Sequence, residues 1–254
     1  MILISNDDGI HSEGIYYLVD AVKDQDIVTV FAPESERSAV SHGLTLHKPL
    51  RMKKTNFRIN DIEAYAVNGT PADCVVLGLY KLKENRPKLI LSGINRGPNI
   101  GADVFYSGTL AGAVEGYIAG LPAVAFSLAS FTNLHWETAK RVASYITRLV
   151  IKYGLPPKVV LNVNIPNLPY EKIRGYKCTS LGGWEYHNQL EEKIDPRKDS
   201  YYWLSEHIVH ISTGDDSDVK AINDGFVSVT PLSYFLNSPE CFSTISQWFM
   251  NQEV

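Results

Sequence analysis

Cysteine is scarce in this chain. There are three in 254 residues, at positions 74, 178 and 241, an odd number with no CxxC pair. That argues against a disulfide framework and fits reduced thiols in a cytoplasmic protein. Long apolar runs are also missing, and the longest falls far short of the about 20 residues that span a bilayer. The first residues open directly on a strand pattern, without a basic segment leading into an apolar one, so no signal peptide is expected. The reading is a cytosolic protein with no membrane contact. A basic surplus is lacking too: 24 Lys and Arg against 28 Asp and Glu give a formal net charge of −4. Such a balance offers no surface for a nucleic-acid polymer, although a single nucleotide needs only a local site. The chain contains no GxxxxGK[ST], GxSxG, HExxH or GxGxxG motif, no internal repeat and no low-complexity tract. What remains is 44% hydrophobic and 20% charged, ordinary for a soluble globular protein and enough for one large α/β domain.

Up to residue 166, strand and helix patterns alternate. Ile2 to Ser5 reads as a buried strand, and Ile15, Leu18, Val19 and Val22 follow at helical spacing with Ser12 as N-cap. Further strands are expected at Ile27 to Phe31, Leu44 to His47, Glu63 to Val67, Leu89 to Leu91, Ala123 to Ser127 and Val159 to Ile165. Helices are expected from Pro71 to Leu82, with Thr70 as cap, and over Ser107 to Ala119 and Glu137 to Tyr153. Asn95 to Tyr106 reads as a loop. Strands alternating with helices imply βαβ units and a mostly parallel sheet, hence an α/β fold. The reading is one domain over 1–254, with the core in 1–166. Residues 167–254 change character. Tyr170 to Thr213 reads as extended arms or hairpins, Phe226 to Thr230 as a last strand, and Cys241, Ile245, Trp248 and Phe249 as an apolar helical stripe. A protruding aromatic arm and an apolar terminal helix are common means of oligomerisation.

The chemistry concentrates in four loops at the carboxyl edge of that sheet, where open α/β folds bind ligands. The first holds Asn6, Asp7 and Asp8 before Gly9. Adjacent carboxylates repel unless a cation lies between them, and hard divalent ions prefer oxygen ligands; Asn-Asp-Asp-Gly is also good turn chemistry. The second runs from Glu36 through Ser38 to His42 and Gly43, where the Ser38 hydroxyl is a weak metal ligand and His42 is a donor or a cap. The third carries Asn95, whose side-chain carbonyl is a neutral oxygen ligand, and Arg96, which suits either a phosphate or a surface ion pair. The fourth, Ser107, Gly108 and Thr109, opens a small-residue helix whose free N–H groups suit an anion as well as ordinary capping and close packing.

With these loops in view, the chain resembles the SurE family of nucleoside monophosphate phosphatases. The segments that carry the resemblance are ILISNDDGIHSEG, VFAPESERSAVSHGLTLHKPL, VNGTPADCVVLGL, LILSGINRGPNIGADVFYSGTLAGAVEG and VSVTPL. The resemblance implies a Rossmann-like three-layer core and one divalent cation per subunit, Mg²⁺ or Mn²⁺, held by Asp7, Asp8, Ser38 and Asn95. It implies hydrolysis of nucleoside 5'- and 3'-monophosphates, and of short polyphosphate, by a homodimer or homotetramer built through the C-terminal region.

On that reading Ser107, Gly108 and Thr109 cradle the phosphate, with Asn6, Gly43 and Asn95 as further contacts. Asp7 and Asp8 are the catalytic pair. A cation-activated water is preferred as nucleophile over an aspartyl-phosphate, because both carboxylates are committed to the cation. A receiver domain would need an aspartate where Asn95 stands and a lysine after Ala123 to Ser127. A haloacid-dehalogenase-type phosphatase would need Asp-x-Asp in place of Asp-Asp-Gly. A nucleotide-binding protein without turnover is left for experiment to separate. No aromatic is assigned to the base, though Tyr106 lies close in sequence to the phosphate loop.

Overall fold

Short aliphatic strands alternate with amphipathic helices over the first two-thirds of the chain. A computed structural model describes residues 1–186, 189–205, 208–211, 214–234 and 238–249. In chain order, β1 (Ile2–Ser5) leads to α1 (Glu13–Val22), β2 (Val28–Pro33), β3 (Met52–Thr55) and β4 (Glu63–Val67). Then come α2 (Pro71–Lys81), β5 (Leu89–Arg96), α3 (Gly108–Ile118), β6 (Ala123–Ala129), α4 (Trp136–Tyr153) and β7 (Val160–Pro166). The C-terminal third holds β8 (Tyr176–Cys178), β9 (Gly183–Tyr186), β10 (Gln189–Ile194), β11 (Ser200–Ser205), β12 (Ile208–Ile211), α5 (Asp218–Asn223), β13 (Val227–Leu232) and α6 (Phe242–Gln247).

Nine strands form one sheet in the order β3-β4-β2-β1-β5-β6-β7-β13-β8. The six from β4 to β7 are parallel to their neighbours, while β3 and β13 run antiparallel beside β4 and β7. The chain winds from β1 toward β4 in one direction and from β5 toward β7 in the other. The topological switch point therefore lies between β1 and β5, where such sheets bind ligands. Ile15, Leu18 and Val22 of α1 and Val142, Ile146 and Val150 of α4 cover one face. Cys74 and Val75 of α2 and Leu110 and Val114 of α3 cover the other. The mostly parallel three-layer α/β architecture agrees with the expectation.

Leu44 to His47 forms no strand. Leu44 and Leu46 are exposed, and the edge is taken instead by the charged MKKT segment of β3, a usual way of keeping an edge strand from pairing with another chain. The strand expected to end at Leu91 continues to Arg96, because Ile94 is fully buried and Asn95 and Arg96 pair with Ser127 and Leu128 of β6 across an irregularity in register. Within the stretch expected to form arms, β8 joins the main sheet beside β13, whereas β9 pairs with β12 and β10 with β11 in a hairpin. Positions 187–188, 206–207 and 212–213 of that stretch and 250–254 beyond the terminal helix lie outside the described residues. Among the described residues, no helix is long and apolar enough to cross a membrane.

Two carboxylates fasten this frame. Asp218, fully buried at the start of α5, accepts from the backbone N–H of Gly101 (3.0 Å), of Gly182 (2.7 Å) and of Val219 (2.8 Å). Asp73 closes a capping box at the start of α2, accepting from Thr70 N–H (2.9 Å), and also takes Thr45 N–H (3.0 Å). Burial would raise the Asp73 carboxyl, but the hydrogen bonds from Thr45 and Thr70 outweigh it and hold the group below its ordinary value. Asp73→Ala should therefore cost about 2 kcal/mol at pH 7. Because the folded-state pKa is depressed, that stabilisation is present above the ordinary carboxyl pKa and fades as pH falls through the folded value. Urea denaturation of both proteins at pH 7 and pH 3 checks this: the gap between them should narrow at pH 3.

Candidate functional site

The first strand stops where its turn is braced from within. Asn6 is fully buried, and its Nδ2 donates to the Gly9 carbonyl (2.9 Å) and to Ser12 Oγ (2.8 Å). Asp7 and Asp8 thus emerge at the carboxyl end of β1, on one side of the switch point. Asp7 is buried. Its Oδ1 accepts from the Thr109 hydroxyl, and its main-chain carbonyl accepts from Arg37 N–H at 2.7 Å. Asp8 Oδ2 accepts from the backbone N–H of Arg96 (3.2 Å), at the end of β5 across the switch point. Beside it, Asn95 Nδ2 donates to the Gly97 carbonyl (3.0 Å), which turns its Oδ1 away from that bond. Ser38 donates to Glu36 Oε1 (2.5 Å). Ser107 caps α3 by accepting from Leu110 N–H (3.0 Å), and its own hydroxyl proton remains to donate.

A cleft of about 350 Å³ brings Asp7, Asp8, Ser38, Asn95 and Ser107 together. Asn6, Gly43, Gly108 and Thr109 lie outside that lining. Asn6 braces the turn, the Gly43 carbonyl accepts from the Thr70 hydroxyl at 2.7 Å, and Thr109 holds Asp7. Gly108 lets the helix come close, since a Cβ there would lie 2.9 Å from Asp7 Cβ. His42 lies outside the cleft lining as well, with Nε2 2.6 Å from Glu115 Oε1.

Burial pushes the Asp7 carboxyl up to about 7, and the charge of Asp8 adds to the rise against the opposing hydrogen bond from Thr109. Asp8 is raised as well, chiefly by burial, with the Arg96 N–H opposing. Two carboxylates side by side, both raised by burial, are costly to ionise unless a positive charge joins them. Among the described residues, no three His, Cys, Asp or Glu side chains converge to hold a metal. The donors that do meet here are two carboxylates, an amide oxygen and a hydroxyl, all oxygen, the set suited to a hard divalent cation.

Other cleft residues escape sequence reasoning. Glu36 is tied to Ser38, and Arg96, expected as a phosphate or ion-pair residue, acts on Asp8 first through its backbone N–H and then through its charge, the former a contact no residue identity advertises. Asn99 anchors the wall. Its N–H donates to Asn164 Oδ1 (2.8 Å), its Nδ2 donates to Ser127 Oγ (2.8 Å), and its carbonyl accepts from Asn162 (2.8 Å) and Asn164 (3.0 Å). Two asparagines at strand period in the apolar VLNVNIP run were the available signal. Phe131, also in the lining, had none beyond its place after β6.

A family model described as "Survival protein SurE" matches residues 2–188. The chain is 41% identical to the 5'-nucleotidase SurE of Heliobacterium modesticaldum over 97% of this chain and 91% of that protein. It is 40% identical to the 5'-nucleotidase SurE of Thermosipho africanus over 100% and 99%. A crystal structure of the SurE protein from Aquifex aeolicus superposes with TM-score 0.84 at 40% identity, over 98% of this chain and 99% of that one. Sequence, fold and the lengths covered agree, and this chain belongs to the SurE family.

Proposed function

We propose that the chain is a metal-dependent 5'-nucleotidase that hydrolyses nucleoside monophosphates to nucleoside and phosphate. The observation that carries this is the convergence of Asp7, Asp8, Ser38, Asn95 and the α3 start on one cleft at the switch point. The names of its relatives support the nucleotide as substrate. The divalent ion, Mg²⁺ or Mn²⁺, would be held by Asp7, Asp8, Asn95 Oδ1 and Ser38 Oγ. When bound, such an ion neutralises phosphoryl oxygens and makes a coordinated water more acidic.

The chain's own groups do the rest. Thr109 fixes one oxygen of Asp7, and the Arg96 N–H fixes one of Asp8, so both carboxylates keep their aim. Gly108 and Thr109 begin α3 with the positive end of the helix dipole toward the cleft, where a phosphate dianion is stabilised. Ser107, buried at the rim, is placed to donate its hydroxyl to a phosphate oxygen. Burial of Asp7 and Ser107 keeps their interactions strong and largely pre-positioned, as phosphoryl transfer requires.

The same site would accept 3'-monophosphates and short polyphosphate, since it recognises a phosphoryl group at its centre. The exposed Tyr201, Tyr202 and Trp203 of the hairpin and Trp248 and Phe249 after α6 suit a homodimer or homotetramer. The three cysteines are free, which fits the cytoplasm.

Phosphate release from a panel of nucleoside 5'- and 3'-monophosphates, first with EDTA and then with Mg²⁺ or Mn²⁺, tests the reading. Release that needs the metal is expected. No release with any metal would overturn it in favour of a nucleotide-binding protein without turnover.

A further inference from the structure

We propose that Phe131, with Tyr106, forms a stacking subsite for the nucleobase; this rests on the nucleotidase reading above. Phe131 and Tyr106 are the aromatic residues in the lining of the cleft that holds Asp7, Asp8, Asn95 and Ser107. Phe131 is 67% exposed and Tyr106 46%, so both present apolar ring surface to solvent in the one place a substrate would cover it.

The Phe131 ring is not a loose side chain on a loose loop. It rests on Gly97, where a Cβ would come within 2.4 Å of Cε1, and Gly97 N–H is bonded to the Leu128 carbonyl at 3.0 Å. The loop around the ring is fastened as well. Ser130 Oγ donates to the Thr132 carbonyl (2.8 Å), and Asn167 Nδ2 donates to the carbonyls of Thr132 and Asn133 (3.3 and 3.1 Å). An exposed ring that rests on Gly97 from a fastened loop, beside an anion site, is a stacking platform for which the backbone's ordering cost is met before the ligand arrives.

The reach is right too. Gly97 is two residues from Asn95, at most about 7 Å of backbone, a distance that a ribose bridges between phosphate and base. A neighbouring groove on the other side of Asp8 also offers an aromatic, Trp136. One face of that ring is already stacked on Tyr17, at 5.7 Å between centroids, and the groove lacks Asp7, Asn95 and Ser107.

Steady-state kinetics of Phe131→Leu and Phe131→Ala, on adenosine 5'-monophosphate and on ribose 5-phosphate with Mn²⁺, test the subsite. Leucine keeps the packing on Gly97 without an aromatic face, so a folding defect in the alanine variant leaves the test intact. Stacking on one base is worth about 5- to 150-fold. We expect KM for the nucleotide to rise at least about tenfold with kcat nearly unchanged, KM for ribose 5-phosphate to stay within about twofold, and Phe131→Trp to restore the nucleotide value. An unchanged nucleotide KM, or equal losses on both substrates, would overturn the subsite while leaving the nucleotidase reading in place. If the unaltered protein hydrolyses neither phosphate ester, the nucleotidase reading fails and the subsite falls with it.

Discussion

Replacing Asp8 by asparagine should lower kcat/KM for nucleoside monophosphates at least about 10³-fold at saturating Mg²⁺ or Mn²⁺, with the fold intact. Loss of a group that merely orients a metal ligand costs about 10- to 100-fold, and Asp8 is proposed as a ligand itself. The same substitution should leave the metal-free protein as stable as before or more so. Burial raises both carboxyls of the pair, so each ionised group is worse off folded than unfolded.

The sign for Asp7 follows from its value near 7 against an ordinary 3.8. Between about pH 4 and pH 7 the folded chain holds the proton that the unfolded chain has given up, and stability falls as pH rises through that window. Above it the full cost is carried. Asp7→Asn should remove that cost, a gain on the order of a few kcal/mol, and should abolish activity alongside Asp8→Asn. Thermal melts in EDTA at pH 4 and pH 8 check this: the variants should gain on the unaltered protein at pH 8 and not at pH 4. Near-normal turnover by either variant at saturating metal would take that residue out of the site.

Gly14→Ala is the second large effect, and it acts through packing. Alanine is the better helix former by about 1 kcal/mol, so in isolation α1 would be strengthened. Here a Cβ would stand 1.9 Å from the Ile94 carbonyl oxygen and 3.0 Å from the Ile94 carbonyl carbon. These are backbone atoms of β5 that cannot rotate aside. Accommodation requires α1 to lift from the sheet or β5 to shift, and forced overpacking costs about 1–3 kcal/mol, occasionally more. We expect a net loss of about 2 kcal/mol in urea denaturation, the upper end of that cost less the helix gain. Because Ile94 leads directly into Asn95 and Arg96, kcat/KM of the folded fraction should also fall more than tenfold. Unchanged stability would mean that α1 yields freely at this point and that the close approach does not position the cleft.

Much of the frame is legible in the sequence, because its signals are local. Ser12, Thr70 with Pro71, and Ser107 each mark a helix start, and each accepts the backbone N–H expected of a cap. Four buried residues before Asn-Asp-Asp-Gly place an acidic pair at a strand end, and the order of strands and helices puts that end at the switch point. Leu44 to His47 fails because alternation shows that a strand would have an apolar face, not that any surface exists to receive it. Phe131 and the backbone N–H of Arg96 were hidden for a related reason: their meaning depends on what lies opposite, and β1, β5 and β6 meet only after folding. Asn162 and Asn164 look like ordinary polar interruptions of a strand until Asn99 arrives between them from another loop.

Asp218 ties together segments that are remote in sequence. The amide of Gly101, where the cleft wall begins its short helical turn, and the amide of Gly182, at the foot of the hairpin, end on opposite oxygens of one carboxylate. Breaking either bond strands part of a buried negative charge, so the two are not independent. We expect the two amides to exchange with deuterated solvent in one cooperative opening event. A hairpin gripped by another molecule would then be felt at the wall of the cleft as a change in how often that wall opens.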